Sequence, residues 1–239
     1  MRTHPVIEIF GPTIQGEGAE AGLPTHFVRL GGCDYRCVWC DTMYAVDPWI
    51  VRETARRMTD EEVMQAVEAL PGRPEWVTIS GGNPALHHLA GVVDRLHAGG
   101  YKLAVETQGS SRWRPWLERV DRLTVSPKPP SSGMVSDSHA AAFERFMHAA
   151  EAVADRLVLK IVCFDETDVT WAKRRMAPWR HLPVFFSAGT PVPPPVDIRA
   201  AVASSYRWLC DRVAGDPALA GVRVLPQLHV IAWGERTGV

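Results

Sequence analysis

Short β-branched runs alternate with longer amphipathic stretches, three cysteines crowd the loop behind one of those runs, and the chain has 239 residues. Together these predict an α/β fold: an incomplete, TIM-like barrel of βα units with the cysteine loop at the carboxyl end of the first barrel strand. The alternation implies a parallel sheet with right-handed crossovers. Six or seven βα units fit this length, whereas a closed eight-unit barrel typically needs about 250 residues. A doubly wound open sheet is the alternative. No repeat or linker divides the sequence, so residues 1–239 are expected to form a single domain.

Each element has its own signal. THFVRL (25–30), EWVTIS (75–80), KLAVET (102–107), DRLTVS (121–126), RLVLKIV (156–162), LPVFFS (182–187) and GVRVLP (221–226) read as buried strands. TDEEVMQAVEAL opens with Thr59 and carries Glu62 three residues later, a capping box ahead of a helix. PALHHLAGVVDRLHAGG reads as one helix starting at Pro84 and stopping at Gly99-Gly100. Residues 139–154, 167–176 and 197–213 supply three further amphipathic stretches, and 113–119 a short one. The prolines of SPKPPSSG (126–133) and AGTPVPPPVD (188–197) make both segments loops behind strands.

Composition narrows the function. Lys and Arg number 26 against 27 Asp and Glu, a formal charge of −1, so no basic field draws in nucleic acid or an anionic membrane. The segment MRTHPVIEIFGPTIQGEG has no apolar signal core, and no window offers the roughly 18 apolar residues of a membrane span. A cytoplasmic location is the expectation. Five cysteines, most of them clustered and without a secretion signal, argue for metal or redox chemistry over a disulfide framework.

GGCDYRCVWCDT (31–42) holds Cys33, Cys37 and Cys40 in a C-x3-C-x2-C spacing. A structural zinc site needs a closed tetrahedral set, and the fourth ligand is missing locally, His26 lying upstream within a strand. Three thiolates on a four-iron cluster make different sense: one iron stays open to bind a substrate or cofactor and pass it an electron. A non-catalytic zinc- or iron-binding module is the alternative from another functional class. Cys163 and Cys210 fit inert core or helix positions, Trp113, Trp171, Trp179 and Trp208 read as packing residues, and His87 and His88 as structural groups on a helix.

The cysteine spacing, with Trp39 ahead of the last thiol, resembles the signature of the radical S-adenosylmethionine (SAM) superfamily. That resemblance implies a 4Fe-4S cluster whose open iron chelates SAM and cleaves it to a hydrogen-abstracting radical. SGGNPAL (80–86) resembles the superfamily's glycine-glycine-acidic motif, with Asn83 where many members carry an acid, and it assigns Gly81, Gly82 and Asn83 to the methionyl end of SAM. VETQGS (105–110) and VSPKPPSSG (125–133) offer Glu106, Thr107, Ser126, Pro127 and Lys128 to its ribose and carboxylate.

Seven segments in one order, TIQGEG, FVRL, WCDT, SGGNPAL, ETQGS, SPKPPSSGM and LPQLHVIAWG, resemble the 7-carboxy-7-deazaguanine synthases across essentially the whole chain. The resemblance implies contraction of 6-carboxy-5,6,7,8-tetrahydropterin to 7-carboxy-7-deazaguanine with loss of ammonia, on the route to queuosine and related 7-deazapurines. Ile14, Gln15, Gly16 and Glu17 would meet the guanine-like edge, Arg29 the substrate carboxylate, and Ser80 and His229 would also touch substrate. Thr42 is the matching position for a magnesium ion, Mg2+. A one-electron reductant such as flavodoxin or ferredoxin, and a homodimer, are further implications. A glycyl-radical activating enzyme, which delivers its radical to a protein partner, is the rival enzyme; it leaves TIQGEG and LHVIAWG unexplained.

Overall fold

A computed structural model describes residues 2–191, 193–234, 236 and 238. One nine-stranded sheet runs through the molecule in the order β3-β1-β2-β4-β5-β6-β7-β8-β9. The strands from β2 onward, other than β3, are the expected ones: β2 (Pro24–Leu30), β4 (Trp76–Gly81), β5 (Lys102–Thr107), β6 (Arg122–Val125), β7 (Leu157–Cys163), β8 (Val184–Ala188) and β9 (Arg223–Leu225). They pair in parallel in chain order. Because β9 and β3 are the two ends of the sheet, the barrel is open.

The pleat decides between a barrel and a doubly wound sheet. Along each strand, Val28 and Leu30, Val77 and Ile79, Leu103 and Val105, Leu123 and Val125, Leu157, Leu159 and Ile161, and Phe186 join one buried apolar core. The alternate residues Phe27, Arg29, Thr78, Ser80, Glu106, Lys160 and Val162 line a cavity on the other face. The helices that cross between the parallel strands cover the apolar face, and the other face curls around a cavity lined by polar and apolar side chains, as in a barrel.

Two antiparallel strands extend beyond the sequence expectation. β1 (Thr3–Ile14) pairs with β2, and its first four residues pair with β3 (Arg56–Thr59). The Gly11-Pro12 step sits inside a register shift between Phe10 and Thr13, where a missing amide donor breaks no regular ladder. Past its end, residues 15–23 close into a loop through Gly22 N–H to Gln15 C=O (2.8 Å) and Gln15 N–H to Leu23 C=O (2.9 Å). An ion pair from Glu20 to Arg122 at the start of β6 (2.6 Å) ties this loop to the amino-terminal mouth of the barrel.

Helices α1 (Pro48–Thr54), α2 (Asp60–Glu68), α3 (Ala90–Ala98), α4 (Asp137–Ala150), α5 (Glu166–Met176), α6 (Ile198–Ala214) and α7 (Leu228–Trp233) fill the connections. The Thr59–Glu62 capping box of α2 is present. The helix expected from Pro84 is instead a 3-10 turn, Pro84–Leu86, then a bend, then α3. Asn83 caps that turn, and His87 leaves the helical path to bond the Gly31 carbonyl (3.1 Å), so neither His87 nor His88 is helical. The short helix expected over 113–119 is a 3-10 turn at Pro115–Arg119.

Candidate active site

The carboxyl ends of the parallel strands open into a cavity of about 460 Å³. The cysteine loop has no regular structure and leaves β2 directly into this space, with Cys33, Cys37 and Cys40 all in its lining. Close backbone approaches fix where the loop begins. Gly82 N–H bonds the Leu30 carbonyl and Asn83 N–H that of Gly32, both at 2.9 Å. A Cβ on Gly81 (φ +125°) would lie 2.1 Å from Leu30 O, and one on Gly82 2.1 Å from Gly32 O. Only glycine lets the end of β4 lie this close to the loop.

The far side of the loop leans on the proline segment. Val38 N–H bonds Ser132 C=O (3.1 Å), and Trp39 Nε1–H donates to Ser131 Oγ (3.0 Å) while its ring packs on Phe164. Fully buried Asp168 holds that segment, accepting from Ser131 N–H (3.0 Å) and from Phe164 N–H (2.9 Å). The thiols are free of disulfides. Burial pushes the Cys37 thiol up to about 11, against the pull of Lys128, and raises Cys33 as well. Metal binding takes such groups as thiolates. No group of three His, Cys, Asp or Glu side chains converges on a single-ion site among the described residues. A four-iron cluster asks for something else, one thiolate at each of three iron corners, and these three cysteines fit that demand.

Across the cavity, the Gln15–Glu17 segment meets the carboxyl-terminal helix. Leu228 N–H bonds Gly16 C=O (3.1 Å), and Gln227 Nε2–H donates to Glu17 Oε1 (3.0 Å) while pairing with Thr190. Glu17 Oε2 accepts from Lys160 Nζ at 2.7 Å, and the same ammonium meets Glu106 at 2.7 Å and 2.9 Å. Burial alone would raise the Glu17 carboxyl, but Lys160, His229 and the hydrogen bonds from Lys160 and Gln227 bring it down to about 2. Burial likewise opposes the Lys160 charge, yet Glu106 and Glu17 more than offset it and lift its pKa above the ordinary lysine value.

The geometry can be set beside known proteins. The family model of the radical SAM superfamily matches residues 27–169, the stretch that holds the cysteine loop and the strands around the cavity. A 7-carboxy-7-deazaguanine synthase of Bacillus cereus is 39% identical over 241 residues, covering 98% of both chains. One from Bacillus subtilis is 39% identical over 245 residues at the same coverage. The chain belongs to the 7-carboxy-7-deazaguanine synthase family of radical SAM enzymes. An archaeal member, from Thermoplasma acidophilum, is 32% identical over 242 residues. The crystal structure of QueE from Escherichia coli superposes with a TM-score of 0.64, covering 95% of each chain at 20% identity, and shares the partial-barrel fold.

For a member of this family, the structure gathers most of the expected site residues in one place. Cys33, Cys37, Cys40, Thr42, Gly81, Gly82, Glu106, Thr107 and Lys128 line the cavity together with Ile14, Gln15, Gly16, Glu17, Arg29, Ser80 and His229. Three lie outside the lining. Asn83 is fully buried, and its amide is spent: Oδ1 accepts from Thr107 Oγ1 (2.7 Å) and Ala85 N–H (3.2 Å), and Nδ2 donates to Asp34 (3.0 Å) and Ser110 (3.1 Å). It builds the wall and offers no free acceptor to SAM. Ser126 is buried and accepts from Lys128 Nζ (3.0 Å), and Pro127 faces a small separate cleft beside Tyr35 and Arg175. Arg29 gives its Nε–H to Glu8 (2.6 Å), which Tyr44 also bonds (2.9 Å), so its guanidinium is half-anchored at the cavity wall.

Sequence reasoning missed Gln108, Lys160 and Gln227, all of which line the cavity. Lys160 did carry a signal: a charged residue in the middle of LVLKIVC contradicts a buried apolar strand and demands partners. Gln108 lies inside the quoted ETQGS, and its Nε2–H reaches Asp34 (2.7 Å) and Cys33 Sγ (3.5 Å).

Proposed function

We propose that this chain contracts 6-carboxy-5,6,7,8-tetrahydropterin to 7-carboxy-7-deazaguanine with loss of ammonia, in queuosine biosynthesis, the whole chain working as one domain. One observation carries the reading: a single cavity is walled on one side by the three-cysteine loop and on the other by the Gln15–Glu17 and Gln227–His229 segments. A volume of about 460 Å³ lies in the range of small-ligand sites, and the enclosing segments suit a small substrate better than a polypeptide. The glycyl-radical activating alternative, which must admit a protein loop, has no observation in its favour.

Cys33, Cys37 and Cys40 would hold a 4Fe-4S cluster, and bound SAM would supply hydrogen abstraction there. The protein's own work is to bind, orient and exclude water. Glu17, an ionised acceptor, suits the N–H edge of a pterin, and the terminal guanidinium nitrogens of Arg29, which bond no other side chain among the described residues, suit its carboxylate. Gly81, Gly82, Glu106, Thr107 and Lys128 are left for SAM. Thr42 would contribute its hydroxyl to Mg2+, a hard ion that takes oxygen ligands and keeps several waters. It lies two residues past Cys40, its Oγ1 3.7 Å from that thiol.

A one-electron reductant of the flavodoxin or ferredoxin class and a homodimer complete the proposal. No helix among the described residues is long and apolar enough to cross a membrane. The direct test is anaerobic turnover with reconstituted cluster, reductant, SAM, Mg2+ and the tetrahydropterin acid. Appearance of the deazaguanine chromophore is the expected result. Its absence, with SAM consumed only when a polypeptide partner is added, would transfer the chain to the rival class.

A further inference from the structure

Lys160 sits mid-strand with its side chain 3% exposed, where an unpaired ammonium would be severely destabilising. Its three N–H donors match three acceptor contacts, one to Glu17 Oε2 and two to the Glu106 carboxylate. The two carboxylates come from different segments of the cavity lining. Glu17 belongs to the segment assigned above to the pterin, and Glu106, on β5, to the one assigned to SAM. Two carboxylates on one ammonium leave the trio with a net charge of −1, so its cavity face favours a ligand edge made of N–H donors. Glu17 Oε1 accepts only the Gln227 amide among the described residues and retains lone pairs for such an edge.

We propose that Lys160 is a positioning residue for the ring contraction, fixing Glu17 as an acceptor-only edge for the pterin and tying that edge to Glu106 on the SAM side. The inference rests on the reading of Glu17 and Glu106 given under the proposed function. A protonated carboxyl would turn a donor toward the donor edge of the substrate. Without its lysine, a mostly buried Glu17 is pushed toward that state, with Gln227 and His229 left to oppose it. One side chain thereby sets both the hydrogen-bonding pattern of the substrate wall and its register against the cofactor wall.

The test is anaerobic titration calorimetry on cluster-reconstituted protein without reductant, so that binding is read apart from turnover. Lys160→Met is expected to weaken the tetrahydropterin acid by about 10- to 100-fold, the range for a charge-assisted hydrogen bond, and SAM by several-fold. Lys160→Arg is expected to recover part of both losses. Glu17→Gln should weaken the pterin acid, and adding it to Lys160→Met should cost much less than it does alone, because the two changes disable one acceptor. In turnover, KM for the pterin acid should rise more than kcat per intact cluster falls.

Wild-type affinity for both ligands in a folded, cluster-bearing Lys160→Met protein overturns the inference. So does a double variant whose loss equals the product of the single losses. Lys160→Gln, which keeps a donor and removes the charge, provides the same comparison if the Met variant fails to fold. A wild-type protein that does not bind the pterin acid overturns the functional reading instead, which separates the two failures.

Discussion

At the scale of single residues, the cysteines make the first prediction. Replacing Cys33, Cys37 or Cys40 by Ala should abolish the visible absorbance of a reconstituted cluster, because each thiolate would hold a different iron. Cys163→Ala and Cys210→Ala should keep it. Cys163 is buried in β7, outside the cavity lining, and retention of the cluster in Cys37→Ala would displace the site. Thr42→Val keeps volume and removes a hydroxyl, so turnover normalised to intact cluster should need more magnesium or lose its response to it. An unchanged magnesium titration would leave Thr42 a loop residue only. Asn83→Asp makes the sharpest test of the wall. Both donors of the Asn83 amide would become acceptors, and a carboxylate would then face Asp34 Oδ1 at the present 3.0 Å. That change should destabilise the protein by about 1–3 kcal/mol, lowering Tm by roughly 3–10 °C. An unaltered Tm would mean that the network is not holding the loop. In the sequence, Asn83 looked like a departure within a cofactor motif; the physical reason for it, a neighbouring carboxylate 49 positions earlier in the chain, becomes visible only in three dimensions.

The element that most needs support is the proline segment behind β6. Beyond its own short turn at Pro130–Ser132, one side chain on a helix, Asp168 of α5, anchors it through Ser131 and so reaches Trp39 in the cysteine loop. Asp168→Asn replaces one of its two acceptor oxygens with a donor facing another donor, a loss of about 1–3 kcal/mol. Thermal unfolding should show the loss, and SAM affinity should fall several-fold as Lys128 loses its mounting. Unchanged SAM binding would separate this segment from the cofactor. Elements were unequally legible. The parallel strands announced themselves as β-branched runs, because a strand covered by helices on one side must bury apolar residues there. β1 was hidden by Pro5 and Gly11-Pro12, which argue against a strand unless a register shift accommodates them. The helix expected from Pro84 divided because an asparagine cap and a histidine bond outweighed its apolar spacing.

Over the whole molecule, segments from the first twenty and the last fifteen or so residues of the sequence meet at one wall of the cavity, Leu228 N–H bonding Gly16 C=O and Gln227 bonding Glu17. Ending the chain at Pro226 should therefore leave the sheet and the cluster loop in place while KM for the pterin acid rises about 10-fold or more, from loss of a hydrogen bond to a charged group. Cluster absorbance and KM measured on the same sample check this, and loss of the cluster with the tail would contradict it. The open barrel followed from chain length and strand count, but the closure of one wall by segments more than 200 residues apart had no local signature. That closure also sets an order of assembly during synthesis. All three thiols have left the ribosome once residue 40 has emerged, with β2 before them and β4 and β5 soon after, whereas the wall facing them lacks Gln227 until 187 residues later. A nascent chain thus presents its three clustered thiols long before the segments that close the facing wall of the cavity have been made.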